Sequence, residues 1–183
     1  MEIDKWIVGL RNVCRMIRAR GCSIEQETLE LLGLDSETLE VQDDSVKFEG
    51  VLKQLTLPIS TLYTVVIDHP DIPRDAKYVF RGDVGISLSI NGSKVNGCTE
   101  VFHIDRMQFN LVDHMYYSPH RLLKGDERQR VLDKFGSNLE LYPKIDHSDP
   151  VVKYFAWDIG DLIEITIDDG PEYAHNVKYR VVI

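Results

Sequence analysis

The chain has 183 residues, 43% hydrophobic and 28% charged, the balance of a soluble globular protein with room for one ordinary domain or two small ones. No apolar run reaches the roughly eighteen residues of a membrane span, and the opening Met1–Lys5 lacks the basic-then-apolar pattern of a secretory signal, so no membrane partner is expected. The net charge is −9, with 12 basic and 17 acidic residues up to 112 and 9 and 13 after it, which argues against a free-standing nucleic-acid binder that lives on phosphate neutralisation.

From the amino terminus, Trp6, Leu10, Val13 and Ile17, with Ile3 and Cys14, recur at helical spacing and form one apolar stripe. Arg11, Arg15 and Arg18 share the other face. That leaves two readings of the arginines: a solvated or ion-paired face, or a phosphate-facing stripe. Arg20-Gly21 ends this helix, Ser23-Ile24-Glu25-Gln26 reads as a capping box for a second, and Gly33 stops it. Leu34–Glu40 adds a short helical turn, and Asp43-Asp44 marks a loop. The pattern then turns strand-like over Val46–Leu57, Thr61–Ile67, Lys77–Phe80, Val84–Ile90, Thr99–Ile104 and Gln108–Val112, punctuated at Pro58, His69-Pro70-Asp71, Arg81-Gly82-Asp83 and Asn91-Gly92. The boundary between two halves falls near Asp105–Asp113 without a flexible linker, giving expected domains of 1–112 and 113–183 that pack together.

The second half is denser in signals. His114 and His120 lie six apart in a proline-containing segment, and Asp126–Phe135 reads as a helix. An L-x-P-K-I turn follows at Leu141, Pro143, Lys144 and Ile145. Asp149 suits a helix N-cap with Pro150 at the first helical position, where a missing N–H costs nothing. Gly160 is expected to stop that helix. Leu162–Ile167 alternates as a strand, Asp168–Tyr173 with Gly170 and Pro171 is a turn, and Val177–Val182 is the returning strand.

This order of signals resembles the fifth subunit shared by eukaryotic nuclear RNA polymerases, whose carboxy-terminal half corresponds to a small subunit of the archaeal polymerase. The family pattern is H-x-L-V-P-x-H, an acidic-start helix, L-P-R-I, D-P-V-A-R-Y, G-x-V-V-K-I and a terminal Y-R-hydrophobic. His114 and His120, Pro143-Lys144-Ile145, Asp149–Tyr154, Gly160 with Leu162–Ile165, and Tyr179-Arg180 follow it in register over about seventy residues. The opening W-x4-R-x4-M-x3-R-G also resembles the start of the family's jaw domain. Two departures stand out: the proline of the first motif is displaced to Pro119, and the family's R-x-S-E-T-A-G hairpin is replaced by the acidic Ile167–Tyr173. Such divergence suits a viral polymerase component.

The resemblance implies an α+β protein: a small mixed amino-terminal jaw, and a carboxy-terminal assembly domain of a short sheet with two helices. It implies a non-catalytic subunit of a multisubunit DNA-directed RNA polymerase. The second domain would dock on the largest subunit through Pro119, His120, Pro143, Asp149, Pro150, Tyr154, Gly160, Tyr179 and Arg180, some of which serve the domain's own fold. The first would form the lower jaw beside downstream DNA, with Arg11, Arg15, Arg18 and Lys94 as DNA-facing candidates. Other polymerase subunits are the further partners. The location would be intracellular, nuclear or cytoplasmic, with virion packaging for a viral member.

Catalytic and cofactor signals are sparse, and no cofactor is expected. His114 and His120 lack the i, i+4 spacing of a helical zinc pair, so structural histidines bonded into a turn are expected, with no metal site. Pro70-Asp71 and Asp75-Ala76-Lys77 spell a metal-dependent nuclease signature, but the carboxylates lie too close together to come from successive strands. Arg81-Gly82-Asp83 and Asn91-Gly92-Ser93 read as turns. Cys14, Cys22 and Cys98 are an odd count without metal-ligand spacing, as expected of reduced thiols in a cytosolic or nuclear compartment. The rival readings are a nuclease-like DNA-processing enzyme, detectable by divalent-metal-dependent cleavage, and a stand-alone DNA-binding factor, detectable by steeply salt-dependent affinity.

Overall fold

The computed structural model describes residues 3–43, 46, 51, 55–70, 76–167 and 176–183. The chain divides into two compact units, Met1–Asn110 and Leu111–Ile183.

Unit 1 is built on helix α1 (Ile3–Ala19). Its apolar stripe is buried as the spacing predicts: Trp6, Leu10, Val13, Cys14, Met16 and Ile17 are each at most 1% exposed. Gly9 sits on this helix for a packing reason, because a Cβ there would fall on the Ile104 side chain. The turn of 3-10 helix at Ile104–Met107 is fastened to α1 from several directions. Asn12 donates to the Met107 carbonyl at 2.8 Å, Gln108 donates to the Lys5 carbonyl at 3.0 Å, and Lys5 pairs with Asp105. Helix α2 (Gln26–Leu32) ends at Gly33 in the left-handed conformation, as expected. A four-stranded sheet follows, in the order β1 (Thr56–Pro58), β2 (Tyr63–Asp68), β3 (Val84–Ser89), β4 (Glu100–His103), with β1 antiparallel to β2 and the remaining pairs parallel.

Four expectations for unit 1 are corrected. The capping box at Ser23 does not form. Helix α2 starts three residues later, with Glu25 at its N-cap and no side-chain cap, because the Glu25 N–H is drawn to the Ile59 carbonyl at 2.8 Å. Lys77–Phe80 is irregular and belongs to no strand, since β2 and β3 already have a neighbour on each side. The turn after it is tied instead to β2, with the Arg81 and Gly82 N–H groups donating to the Thr64 hydroxyl. Gln108–Val112 also fails as a strand: its residues leave one 3-10 turn and enter another at Leu111–Asp113. The expected Val46–Leu57 strand lies largely outside the described residues. Val51 within it is helical, and Thr56-Leu57 at its end belong to β1.

Unit 2 contains a second four-stranded sheet in the order β5 (His120–Leu122), β7 (Leu162–Ile167), β8 (Asn176–Val182), β6 (Lys144–Ile145). Helices α3 (Gly125–Phe135) and α4 (Pro150–Phe155) complete it. Period-2 alternation along the strands sends successive side chains to opposite faces, and each face meets its own helix. Leu162 and Val181 pack with Leu123, Val131 of α3 and Tyr142. Ile163, Ile165 and Val182 pack with Ile145, Val152 of α4 and Trp157. Val152, Ile163 and Val182 are fully buried, each such side chain contributing about 1.5–3 kcal/mol relative to an exposed one. The unit is an α+β sandwich of short sheet and two helices, and β7 has the bounds that alternation predicts.

Three local readings in unit 2 are corrected. Lys144-Ile145, expected in a turn, forms strand β6 parallel to β8. Helix α4 ends at Ala156 rather than at Gly160; Ala156 adopts φ +53 and its N–H returns to the Lys153 carbonyl. His120–Leu122, unassigned by pattern, pairs antiparallel with β7. The expected turn at Asp168–Tyr173 lies outside the described residues.

Candidate partner-docking surface

Eight of the nine residues singled out in the second half fall into two groups, with His120 apart from both. Asp149, Tyr154 and Gly160 serve the fold. The Asp149 carboxylate accepts the Val151 N–H at 2.8 Å, capping α4 with Pro150 in its first turn. Tyr154 is buried and its ring meets Phe155 edge-on. Gly160, at φ +91, donates its N–H to the Val182 carbonyl at 2.9 Å and accepts Arg128 at 3.2 Å on its own carbonyl. That geometry starts β7 beside the end of β8, and a residue with a Cβ would strain it.

The second group reaches the surface. Pro119, Pro143, Pro150 and Arg180 are exposed, and Tyr179 is half-buried against Phe135, ring centroids 5.4 Å apart. Pro143 stands at the open side of the sheet, its carbonyl accepting the Val181 N–H at 2.9 Å. Arg180 extends across β6 and donates to the Lys144 carbonyl at 3.3 Å.

His120 behaves as a structural histidine. Its Nδ1 lies 2.5 Å from the Ser118 carbonyl, its ring stacks on Tyr117, and its N–H donates to the Tyr117 hydroxyl. Since a carbonyl can only accept, Nδ1 carries the proton of that bond. Burial pulls the imidazole below the ordinary histidine range; the Ser118 carbonyl and Asp149 oppose this, and Arg180 adds to it. The neutral ring therefore prevails at neutral pH. His114 uses its own Nδ1 to accept the Tyr116 N–H at 3.2 Å. No cluster of three or more His, Cys, Asp or Glu occurs among the described residues.

The arginines of α1 do something sequence reasoning missed. Arg11 is buried, with Nε on the Leu32 carbonyl and a terminal nitrogen on the Asp43 carbonyl, both at 2.9 Å. Arg15 donates to the Leu39 carbonyl at 3.2 Å, and Arg18 donates to the Glu37 and Ser36 carbonyls, each at 2.6 Å. The face expected to be solvated, ion-paired or turned to phosphate is a row of clamps on the backbone of residues 32–43. Arg20 forms a two-pronged pair with Glu100 at 2.9 and 2.7 Å and lies over the Tyr63 ring, joining the end of α1 to β4 and β2. Lys94 alone among the DNA-facing candidates is exposed, on the connection between β3 and β4. Nothing in the spacing of Arg11, Arg15 and Arg18 distinguishes a carbonyl clamp from a solvated face.

The comparisons with known proteins meet this geometry in unit 2. Residues 109–182 match the family described as RNA polymerase Rpb5, C-terminal domain. The DNA-directed RNA polymerase subunit Rpo5 of Thermococcus kodakarensis is 32% identical over 78 residues, which span 43% of this chain and 94% of the archaeal protein. This chain belongs to the Rpb5/Rpo5 family. Its Archaeoglobus fulgidus relative, also named DNA-directed RNA polymerase subunit Rpo5, is 34% identical over 77 residues, or 42% of this chain and 100% of the relative. A longer likeness reaches both units: the Arabidopsis thaliana protein named DNA-directed RNA polymerases IV and V subunit 5B is 23% identical over 200 residues, covering 100% of this chain and 91% of its own. The Rpb5-type stretch contains β5 to β8, α3 and α4, so the fold-bearing Asp149, Tyr154 and Gly160 and the exposed Pro119, Pro143 and Arg180 all lie within it.

Proposed function

We propose that the chain is a non-catalytic subunit of a multisubunit DNA-directed RNA polymerase, in which unit 2 docks on the largest subunit and unit 1 forms the lower jaw beside downstream DNA. The observation that carries this reading is the coincidence of an Rpo5-length match, 94–100% of two archaeal subunits, with a compact unit whose motif residues cap, turn and pair its elements. In this role the chain supplies position rather than chemistry: interface burial fixes where the jaw stands, and the reacting groups belong to other chains. The exposed set Pro119, Pro143, Pro150 and Arg180, with Tyr179 and His120 beside it, is the docking surface. The compartment is intracellular, nuclear or cytoplasmic, and the three cysteines are free thiols there.

For DNA, Arg11, Arg15 and Arg18 are set aside because their donors already hold backbone carbonyls. Lys94 remains as the exposed cation of the β3–β4 connection. On a chain of net charge −9, such a contact works only beside DNA already gripped by larger partners.

The test is affinity capture of the tagged full chain from its native source, with mass spectrometry of the co-purifying polypeptides. Polymerase subunits in stoichiometric amounts are expected. A chain recovered alone, or cleaving DNA with a divalent metal, would overturn the assignment.

A further inference from the structure

Strand β8 runs from Asn176 to Val182, but β6 covers only its last two residues, pairing Lys144 with Val181 and Ile145 with Val182. The backbone parity of β8 follows from its bonds. The Val182 N–H points toward the β7 side, to the Asp161 carbonyl, whereas the Val181 and Ile183 N–H groups point to the β6 side, to the Pro143 and Ile145 carbonyls. By alternation Val177 and Tyr179 direct their N–H and C=O groups to that same outer side, beyond the reach of β6. No described residue is bonded to them there.

Alongside this uncovered stretch lies a groove of about 370 Å3 lined by Phe135, Leu141, Tyr142, Pro143, Lys178, Tyr179 and Arg180. Leu141 is 82% and Phe135 55% exposed, large apolar side chains at the surface with little intramolecular cover. Two of the lining residues are cations and none is acidic, on a chain where acidic residues outnumber basic ones 30 to 21. An open strand edge and an apolar trough beside it are what recognition by strand addition uses, and the basic rim adds a charge preference for the added segment.

We propose that β8 is completed in the assembled polymerase by an extended segment of the largest subunit, which continues the line of β6. That segment hydrogen-bonds to Val177 and Tyr179, seats an apolar side chain against Phe135 and Leu141, and places carboxylates by Lys178 and Arg180. This rests on the docking reading above and names its contact. Backbone bonds supply the register, the trough supplies the anchor, and the rim selects an acidic-apolar segment over a basic one.

Val177→Pro tests the edge directly. It removes an outward donor at a position where an edge strand tolerates proline, so the fold should persist. Co-expressed with the polymerase's largest subunit, the full-length Val177→Pro chain should bind at least about tenfold more weakly than the unaltered one, and Leu141→Glu should do likewise. Ile159→Glu, exposed at 71% outside the groove, should bind as the unaltered chain does. A photo-crosslinking residue at position 141 should capture an acidic-apolar stretch of the largest subunit. Equal binding by Val177→Pro and Leu141→Glu, or crosslinks to a second copy of the chain, would overturn the edge assignment while leaving polymerase membership intact. Failure of the unaltered chain to bind the largest subunit would overturn both. If Val177→Pro lowers the melting temperature markedly, Leu141→Glu and the crosslink decide the matter.

Discussion

In unit 1, side chains of one long helix reach across the fold to hold backbone that is distant in sequence: Arg11 to Leu32 and Asp43, Asn12 to Met107, with Arg20 paired to the Glu100 carboxylate. In unit 2, the devices that set the path of the chain are mostly local: Asp149 caps a helix two residues ahead, and the Ala156 N–H closes on the Lys153 carbonyl three residues back. The contrast teaches where a family signature can be read. A local device requires a particular residue at a particular offset, so it leaves a motif. A long-range clamp requires only a donor of the right length somewhere on a helix face, and many sequences satisfy that.

Breaking a clamp should therefore cost more than breaking a cap. Arg11→Met, which keeps the aliphatic stem but strands two carbonyls, is expected to destabilise the chain by about 2–3 kcal/mol in denaturant unfolding. A loss under about 1 kcal/mol would show that water replaces the guanidinium and that the clamp is not what orders residues 32–43. Asp149→Ala, which removes only the α4 cap, should cost about 1 kcal/mol by the same measurement. Asp149→Asn should recover most of it.

Ala156→Gly sharpens the comparison from the other side. An alanine held at φ +53 bears a strain that glycine does not, so the substitution should be neutral to stabilising by up to about 1 kcal/mol. A thermal scan showing clear destabilisation would mean that the Ala156 methyl packs more than its exposure indicates.

The smallest effect is expected at His120. Burial depresses its folded pKa below the unfolded value of about 6.5. The unfolded chain thus binds the proton more readily, and stability falls as the pH drops from about 6.5 through the lowered folded value. Urea midpoints taken between pH 7 and pH 5 should show a decline that is reduced in His120→Asn. An unchanged slope in that variant would assign the decline to other groups.

Much of the fold was legible, and the reasons differ by element. The α1 stripe was plain because side chains at helical spacing had to be buried together, and Trp6, Leu10, Val13, Cys14 and Ile17 are each at most 1% exposed. Strand β7 was plain because a different helix covers each of its faces, which forces alternation, and β8 was plain from its β-branched and aromatic residues, of which Val181 and Val182 are buried. Lys77–Phe80 misled because Tyr78 and Phe80 alternate with Lys77 and Val79 as a strand would, yet the neighbouring strands were already paired. The exposed part of the candidate surface was half legible. Pro143, Tyr179 and Arg180 stood out by motif; Phe135 and Lys178 did not, and the motif that contains Leu141 could not show its exposure, since Leu139 packs inward and Leu141 outward from the same short turn.

By itself the sequence determined the two-part order of the chain, the family of the second part, and those helix and strand limits imposed by caps, glycines and periodicity. Each of these depends on interactions spanning a few residues, whose partners lie within sight of one another in the sequence. Tertiary structure alone decided which carbonyls the α1 arginines hold, that Lys144-Ile145 becomes a strand, and that β8 outruns its neighbour to leave an open edge. Those outcomes turn on which distant backbone groups remain unpaired once the elements have packed, and no local pattern records that remainder.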